Sequence, residues 1–157
     1  MSVRKYADRK RYFFLSVEET QAFAADYATG IPPGSVIALI GDLGTGKTTF
    51  TQGFARGLGI TEQVGSPTFK IVSEYKGDHL ILYHVDCYRL KNGADFLNIG
   101  GETLLNPDNG VTVIEWADII EEILPAEAIV IHFSRIPGKV DQRGIIIEEH
   151  RDEIISI

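Results

Sequence analysis

Val36-Ile37-Ala38-Leu39-Ile40-Gly41-Asp42-Leu43-Gly44-Thr45-Gly46-Lys47-Thr48 is the stretch that decides the fold. Its first five residues are apolar with no alternation, which suits a strand buried on both faces, as in a parallel sheet. The next eight fit G-x-x-x-x-G-K-[ST] at every fixed position. A helix should begin inside the loop, run from about Lys47 to Leu58 and close at Gly59. Each residue type has a reason to be there. Glycines let successive N–H groups turn inward as an anion nest, and the helix start adds partial positive charge. Lys47 can reach the β- and γ-phosphates, and the Thr48 hydroxyl can ligate Mg²⁺. Asp42, Leu43, Gly44, Thr45, Gly46, Lys47, Thr48 and Thr49 are therefore the candidate nucleotide-binding residues. The Asn-Lys-x-Asp loop by which Ras-type GTPases read guanine has no counterpart. Lys91-Asn92-Gly93-Ala94-Asp95 lacks that order and follows no strand, so ATP with Mg²⁺ is the expected cofactor pair.

Outward from the loop, strands alternate with helices. Ser16-Val17-Glu18-Glu19 has capping-box spacing, and Thr20, Phe23, Ala24 and Tyr27 would share one face of the helix that follows. Gly30-Ile31-Pro32-Pro33-Gly34 stops that helix. Tyr12–Leu15 reads as a short edge strand. Lys70–Tyr75 and Leu80–Val85 read as a hairpin turned at Lys76-Gly77-Asp78. Phe96–Leu105 reads as a weak helix broken at Gly100-Gly101, and Ala117–Leu124 as a short helix ended by Pro125. Val111–Ile114, Ile129–Phe133 and Ile145–Ile147 read as further strands. The expected fold is α/β: a P-loop NTPase-like three-layer α/β/α arrangement, with a mostly parallel central sheet and one antiparallel hairpin.

The 157 residues suit a single domain spanning 1–157, with a basic N-terminal extension over 1–11 (Arg4, Lys5, Arg9, Lys10, Arg11). A single Cys allows neither an internal disulfide nor a Cys-based zinc site, which fits a reducing compartment. No run reaches the ~18 apolar residues of a membrane helix, and the N-terminus lacks a signal-peptide core. A cytoplasmic protein is expected. The net charge of −7 argues against gripping nucleic acid through overall charge.

A P-loop enzyme also needs an acid at the end of a neighbouring strand to hold Mg²⁺ or orient water. Asp86 ends the apolar run Leu80–Val85, and Glu115 ends Val111–Ile114. Both belong at carboxyl ends of strands, where α/β sheets bind ligands. Sequence leaves open which of the two meets the metal. Ser66-Pro67-Thr68-Phe69 reads by itself as a turn, His84 as a core histidine and Trp116 as a packing residue.

Together, Gly-Asp-Leu-Gly-x-Gly-Lys-Thr-Thr at Gly41–Thr49, Ser-Pro-Thr-Phe at Ser66–Phe69, His-x-Asp-x-Tyr-Arg-Leu at His84–Leu90 and Glu-Trp at Glu115–Trp116 resemble the TsaE family in order and spacing. The resemblance covers roughly Leu15 to Ile147. It implies a small bacterial P-loop ATPase of the tRNA threonylcarbamoyladenosine pathway, working with TsaB and TsaD, with tRNA met only indirectly through that complex. It also implies that Thr68 is a switch residue, that Asp86 and Glu115 are Mg²⁺ or water partners, and that Trp116 lies near the nucleotide or the partner interface. On that reading Lys47, Thr68, Asp86 and Glu115 carry catalysis, and Thr48, Glu115 and Asp86 serve the metal. Two departures are Thr45, where Ala or Ser is commoner, and Ala117-Asp118 after Glu-Trp, where proline is common.

Two rival functions are a small-molecule kinase and a nucleotide-dependent binding module. A kinase closes an arginine-bearing lid over its phosphate. Here Asn92–Ile131 contains no Lys or Arg and eight acids, so a lid built from it would repel phosphate. No arginine finger is evident, which fits slow hydrolysis alone and stimulation by a partner. Arg89, Arg135 and Arg143 remain as in-cis candidates.

Overall fold

A computed structural model describes residues 2–65 and 70–154 of the chain, with side chains over 8–65 and 70–149. In chain order the elements are β1 (Ser2–Phe14), α1 (Val17–Thr29), β2 (Val36–Ile40), α2 (Lys47–Gly57), β3 (Val72–Lys76), β4 (Ile81–Asp86), α3 (Gly93–Asn98), β5 (Gly110–Glu115), β6 (Ile129–Ile136) and β7 (Lys139–Ile154). Two 3₁₀ segments intervene, at Gly101–Leu105 and Ala117–Ile123.

The strands form one mixed sheet in the order β1-β7-β6-β2-β5-β4-β3. β6, β2, β5 and β4 run parallel to one another. β3 pairs antiparallel with β4, β7 with β6, and β1 with β7. The hairpin of β3 and β4 is the expected one. The sheet is not mostly parallel, however, because its pairings divide evenly, three parallel and three antiparallel. The difference lies in β1 and β7, which are far longer than Tyr12–Leu15 and Ile145–Ile147 suggested. Their outer parts are rich in charge and so carry little hydrophobic pattern. What those residues have instead is complementary register: Arg9 stands opposite Glu148, with Nε 3.5 Å from Oε2. Glu148 also meets His132 Nε2 at 2.5 Å. The basic N-terminal stretch is thus the edge strand of the sheet.

α1 begins as its sequence dictates. The Ser16 hydroxyl accepts the Glu19 N–H at 3.1 Å. The Glu19 carboxylate reaches one residue further back than in a standard capping box and accepts the Leu15 N–H at 2.8 Å. Thr20, Ala24 and Ala28 are buried. Phe23 lies 4.6 Å from Tyr12 and 5.1 Å from Phe14, ring to ring, and this pins the helix to β1. α2 lies close on α1: a Cβ at Gly53 would stand 2.6 Å from the Gln21 Cα, so only glycine permits that approach.

Alternation along β2 explains the two cores. Ile37 and Leu39 join Phe50 and Phe54 of α2, Ala24 of α1, and Leu82, Val113 and Ile131 of the neighbouring strands. Val36 and Ala38 join Val85, Ile114, Phe96 of α3 and Ile120. Each central strand is therefore apolar on both faces. The weak helix expected over Phe96–Leu105 breaks at Gly100-Gly101 as its glycines indicate, into α3 and a 3₁₀ turn. Ala117–Ile123 is 3₁₀ rather than α, with a non-helical kink at Ile120.

Candidate functional site

The site grows from the carboxyl end of β2. α2 starts at Lys47 behind Gly46, whose left-handed φ of 105° is open to glycine and strained for any side chain. No side chain caps this helix and no acid lies in its first turn. Its leading N–H groups are thus not claimed by a side-chain cap, as an anion-binding helix start requires. The loop is braced from within: Thr45 is buried, and its hydroxyl donates to the Asp42 carbonyl at 2.7 Å. Position 45 therefore uses its side chain as well as its backbone. Asp42 is exposed, and Leu43 projects to solvent at 82 % exposure. Thr49 is half-buried in the first turn of α2.

Lys47 is only 5 % exposed. Its ammonium donates to the Gly41 carbonyl and, at 3.4 Å, to that of Asp42. The same Nζ stands 3.8 Å from the centre of the Trp116 ring, a cation–π contact worth about 0.5–2 kcal/mol. Burial lowers the Lys47 pKa from its ordinary value, while Glu115, Asp118, Asp42 and Asp86 oppose that shift. Trp116 is the one non-glycine residue at positive φ (58°) among the described residues. That conformation turns the chain sharply after β5, and the indole lies 5.1 Å from the Tyr88 ring.

The two strand-end acids come together. Asp86 and Glu115 are register partners on the parallel strands β4 and β5. Parity puts both on the sheet face that carries α2, with Leu82 and Val113. Glu115 is 3 % exposed and takes the centre of a short chain of contacts. Thr48 Oγ1 donates to its Oε1 at 3.1 Å, with Oε2 at 3.4 Å. His84 Nε2 meets Oε2 at 2.6 Å. Asp86 accepts the Tyr88 N–H at 2.9 Å instead. Burial raises the Asp86 pKa, and the Glu115 carboxylate adds to the rise. Lys47, Thr48, Asp86, Glu115 and Trp116 are thus brought to one place. Thr68 lies outside the described residues.

His84 and Tyr88 are underrated by sequence reasoning, while Arg135 and Arg143, candidate in-cis donors there, stand beside the loop. His84 is a buried histidine as expected, but it touches Glu115. Its signal was parity: in a strand, residue 84 shares a face with residue 86. Tyr88 packs its ring, tilted, against that of Trp116. Arg135 Nε donates to the Gly44 carbonyl at 3.0 Å, and Arg143, its register partner, packs beside Gly46. These two guanidinium groups flank the loop from β6 and β7. A cleft of about 860 Å³ lies elsewhere, lined by Tyr27, Pro32, Val36 and Ile129. It sits where the parallel strands begin, away from this chemistry.

Thr48, Glu115 and Asp86 are the residues that could hold a Mg²⁺ ion. A hydroxyl and two carboxylates are hard oxygen ligands. No group of three or more His, Cys, Asp and Glu that could hold a metal occurs among the described residues. Mg²⁺ typically binds through one or two carboxylates, with substrate phosphate and water supplying the rest.

Comparison with known proteins points to one family. The family model described as "Threonylcarbamoyl adenosine biosynthesis protein TsaE" matches residues 14–144. The tRNA threonylcarbamoyladenosine biosynthesis protein TsaE of Bacillus subtilis is 48 % identical over 121 residues, covering 77 % of this chain and 75 % of that protein. Its namesake in Treponema pallidum is 40 % identical over 116 residues, covering 74 % and 84 %. The crystal structure of Bacillus subtilis YdiB superposes with a TM-score of 0.73 at 41 % identity, covering 92 % of this chain and 88 % of that one. The chain belongs to the TsaE family of tRNA threonylcarbamoyladenosine biosynthesis proteins.

Proposed function

We propose that this chain is the Mg²⁺-dependent ATPase of the tRNA threonylcarbamoyladenosine machinery, a P-loop NTPase acting in the cytoplasm with the TsaB–TsaD pair. The observation that carries the reading is the bond from the Thr48 hydroxyl to the Glu115 carboxylate at 3.1 Å. It joins the loop that would hold phosphate to the strand end that would hold metal.

The residues divide the work. Lys47 and the leading N–H groups of α2 bind the phosphate oxygens. Lys47 leaves the Trp116 face to do so, and the indole stays beside the nucleotide. Thr48 and Glu115 hold Mg²⁺ or its waters. When bound, Mg²⁺ neutralises the charge that gathers on the phosphate oxygens. Asp86 stands on the water side, since it does not meet Thr48 and its raised pKa favours taking up a proton. Thr68 serves as the switch that responds to the γ-phosphate.

Arg135 contacts the phosphate loop through Gly44, but its Nε is engaged with a carbonyl there. Slow hydrolysis alone and faster hydrolysis with partners follow from the lack of an evident arginine finger. The chain's net charge of −7 supports leaving tRNA to the partner proteins. Phosphate release measured with ATP and Mg²⁺, for the wild type and Lys47→Ala, tests the assignment. Release that survives Lys47→Ala unchanged would refute it.

A further inference from the structure

We propose that His84 is a positioning residue for Glu115, fixing the carboxylate so that one oxygen faces the Thr48 hydroxyl and the metal position. This rests on the ATPase reading above and adds a residue to it.

His84 is fully buried in the middle of β4. Its Nε2 lies 2.6 Å from Glu115 Oε2, while Glu115 Oε1 receives Thr48 Oγ1 at 3.1 Å. Oε1 is thus the oxygen nearer to Thr48, while Oε2, 3.4 Å from the same hydroxyl, is held most closely by His84. A carboxylate only accepts, so the ring proton is assigned to Nε2. His84 Nδ1 is buried with no hydrogen-bond partner, the one such side-chain atom among the described residues. The Nε2–H tautomer leaves a lone pair at Nδ1 rather than a stranded N–H. A buried polar ring with an unmet nitrogen destabilises the core relative to an apolar side chain of similar size. The Glu115 contact is what that cost maintains. A glutamate has three side-chain torsions, and Coulomb attraction to a hydroxyl alone does not fix its rotamer. The imidazole, carried by β4 between strands β3 and β5 and fully buried, does. Partners that stand behind a metal's ligands typically change affinity about 10–100-fold when removed.

The test compares His84→Phe, which loses the donor, with His84→Gln, whose amide nitrogen can take the place of Nε2. Calorimetry measures ATPγS affinity with Mg²⁺ and again in EDTA. The gain conferred by Mg²⁺ should fall about tenfold or more in His84→Phe, with the EDTA value unchanged, and His84→Gln should keep it within about threefold. Should Phe prevent folding, judged by thermal melting, His84→Asn replaces it; its amide is too short to reach Glu115 and should behave as Phe does. Equal losses in the Gln and donor-less variants would reduce His84 to a packing residue, and wild-type values in both would remove it from the site. A wild type that gains nothing from Mg²⁺ overturns the ATPase reading and this inference together. A wild type that gains, beside variants that match it, overturns the inference alone.

Discussion

Thr48, on the first turn of α2, donates its hydroxyl to Glu115 at the end of β5, across 67 residues of chain and 3.1 Å of space. On the ATPase reading this pair would hold Mg²⁺ or its waters. Glu115→Gln should lower Mg²⁺-dependent ATP hydrolysis about 10²-fold or more, while ATPγS affinity in EDTA stays within about threefold. Thr48→Val should act in the same direction. Wild-type turnover in Glu115→Gln would remove that residue from the site.

Lys47 lies over the face of Trp116, the single tryptophan of the chain. A cation leaving an indole face changes the indole's surroundings. ATPγS should therefore shift Trp116 emission. Lys47→Ala should alter the emission of the nucleotide-free protein and abolish the nucleotide response. Identical spectra for wild type and Lys47→Ala, with and without nucleotide, would contradict the placement.

Asp86 carries a raised pKa, chiefly through burial. A carboxyl whose folded pKa lies above its unfolded value, about 3.9, contributes stability below that value and loses it as pH rises through the folded one. At neutral pH the metal-free protein therefore holds Asp86 ionised at a net cost. Asp86→Asn should raise Tm at pH 7 in EDTA, with a smaller difference at pH 4, and lower hydrolysis. A drop in Tm at pH 7 would reverse the sign of this argument.

Cys87 follows Asp86 into the second core and is fully buried. Burial, aided by the Asp86 and Asp118 carboxylates, pushes its thiol up to about 12. The thiolate is the reactive form. Native protein should thus resist DTNB between pH 7 and 9 and react with one equivalent on unfolding in guanidinium. Rapid labelling of the folded protein would show that the thiol is reached from solvent.

Most of the site could be read from Gly41–Thr48 because each of its residue types has one dominant physical reason to be there. The strand-end acids were legible too, since apolar runs ending in Asp86 and Glu115 point at the same edge of a parallel sheet. Pairing between elements was not. Which acid meets Thr48 depends on the order β2-β5-β4, and sequence does not print that order. His84 reads in sequence as a core histidine, which it is, and parity sets it on the face of Asp86; its contact with Glu115 depends on which strand lies next to it. The sheet's outer half was misread because β1 and β7 recognise each other by charge as much as by hydrophobicity. Arg9 facing Glu148 is visible only once the register is known. Trp116 illustrates a further limit. Its left-handed backbone, which helps bring the indole over Lys47, is set by the turn after β5 rather than by any local preference of tryptophan.

The central claim is tested most directly by phosphate release from ATP and Mg²⁺, measured for this protein with and without the TsaB–TsaD pair, with Lys47→Ala alongside. Slow release alone, at least about tenfold faster release with the pair, and loss of both rates in Lys47→Ala are predicted. Equal rates with and without the pair, or release that persists in Lys47→Ala, would contradict it.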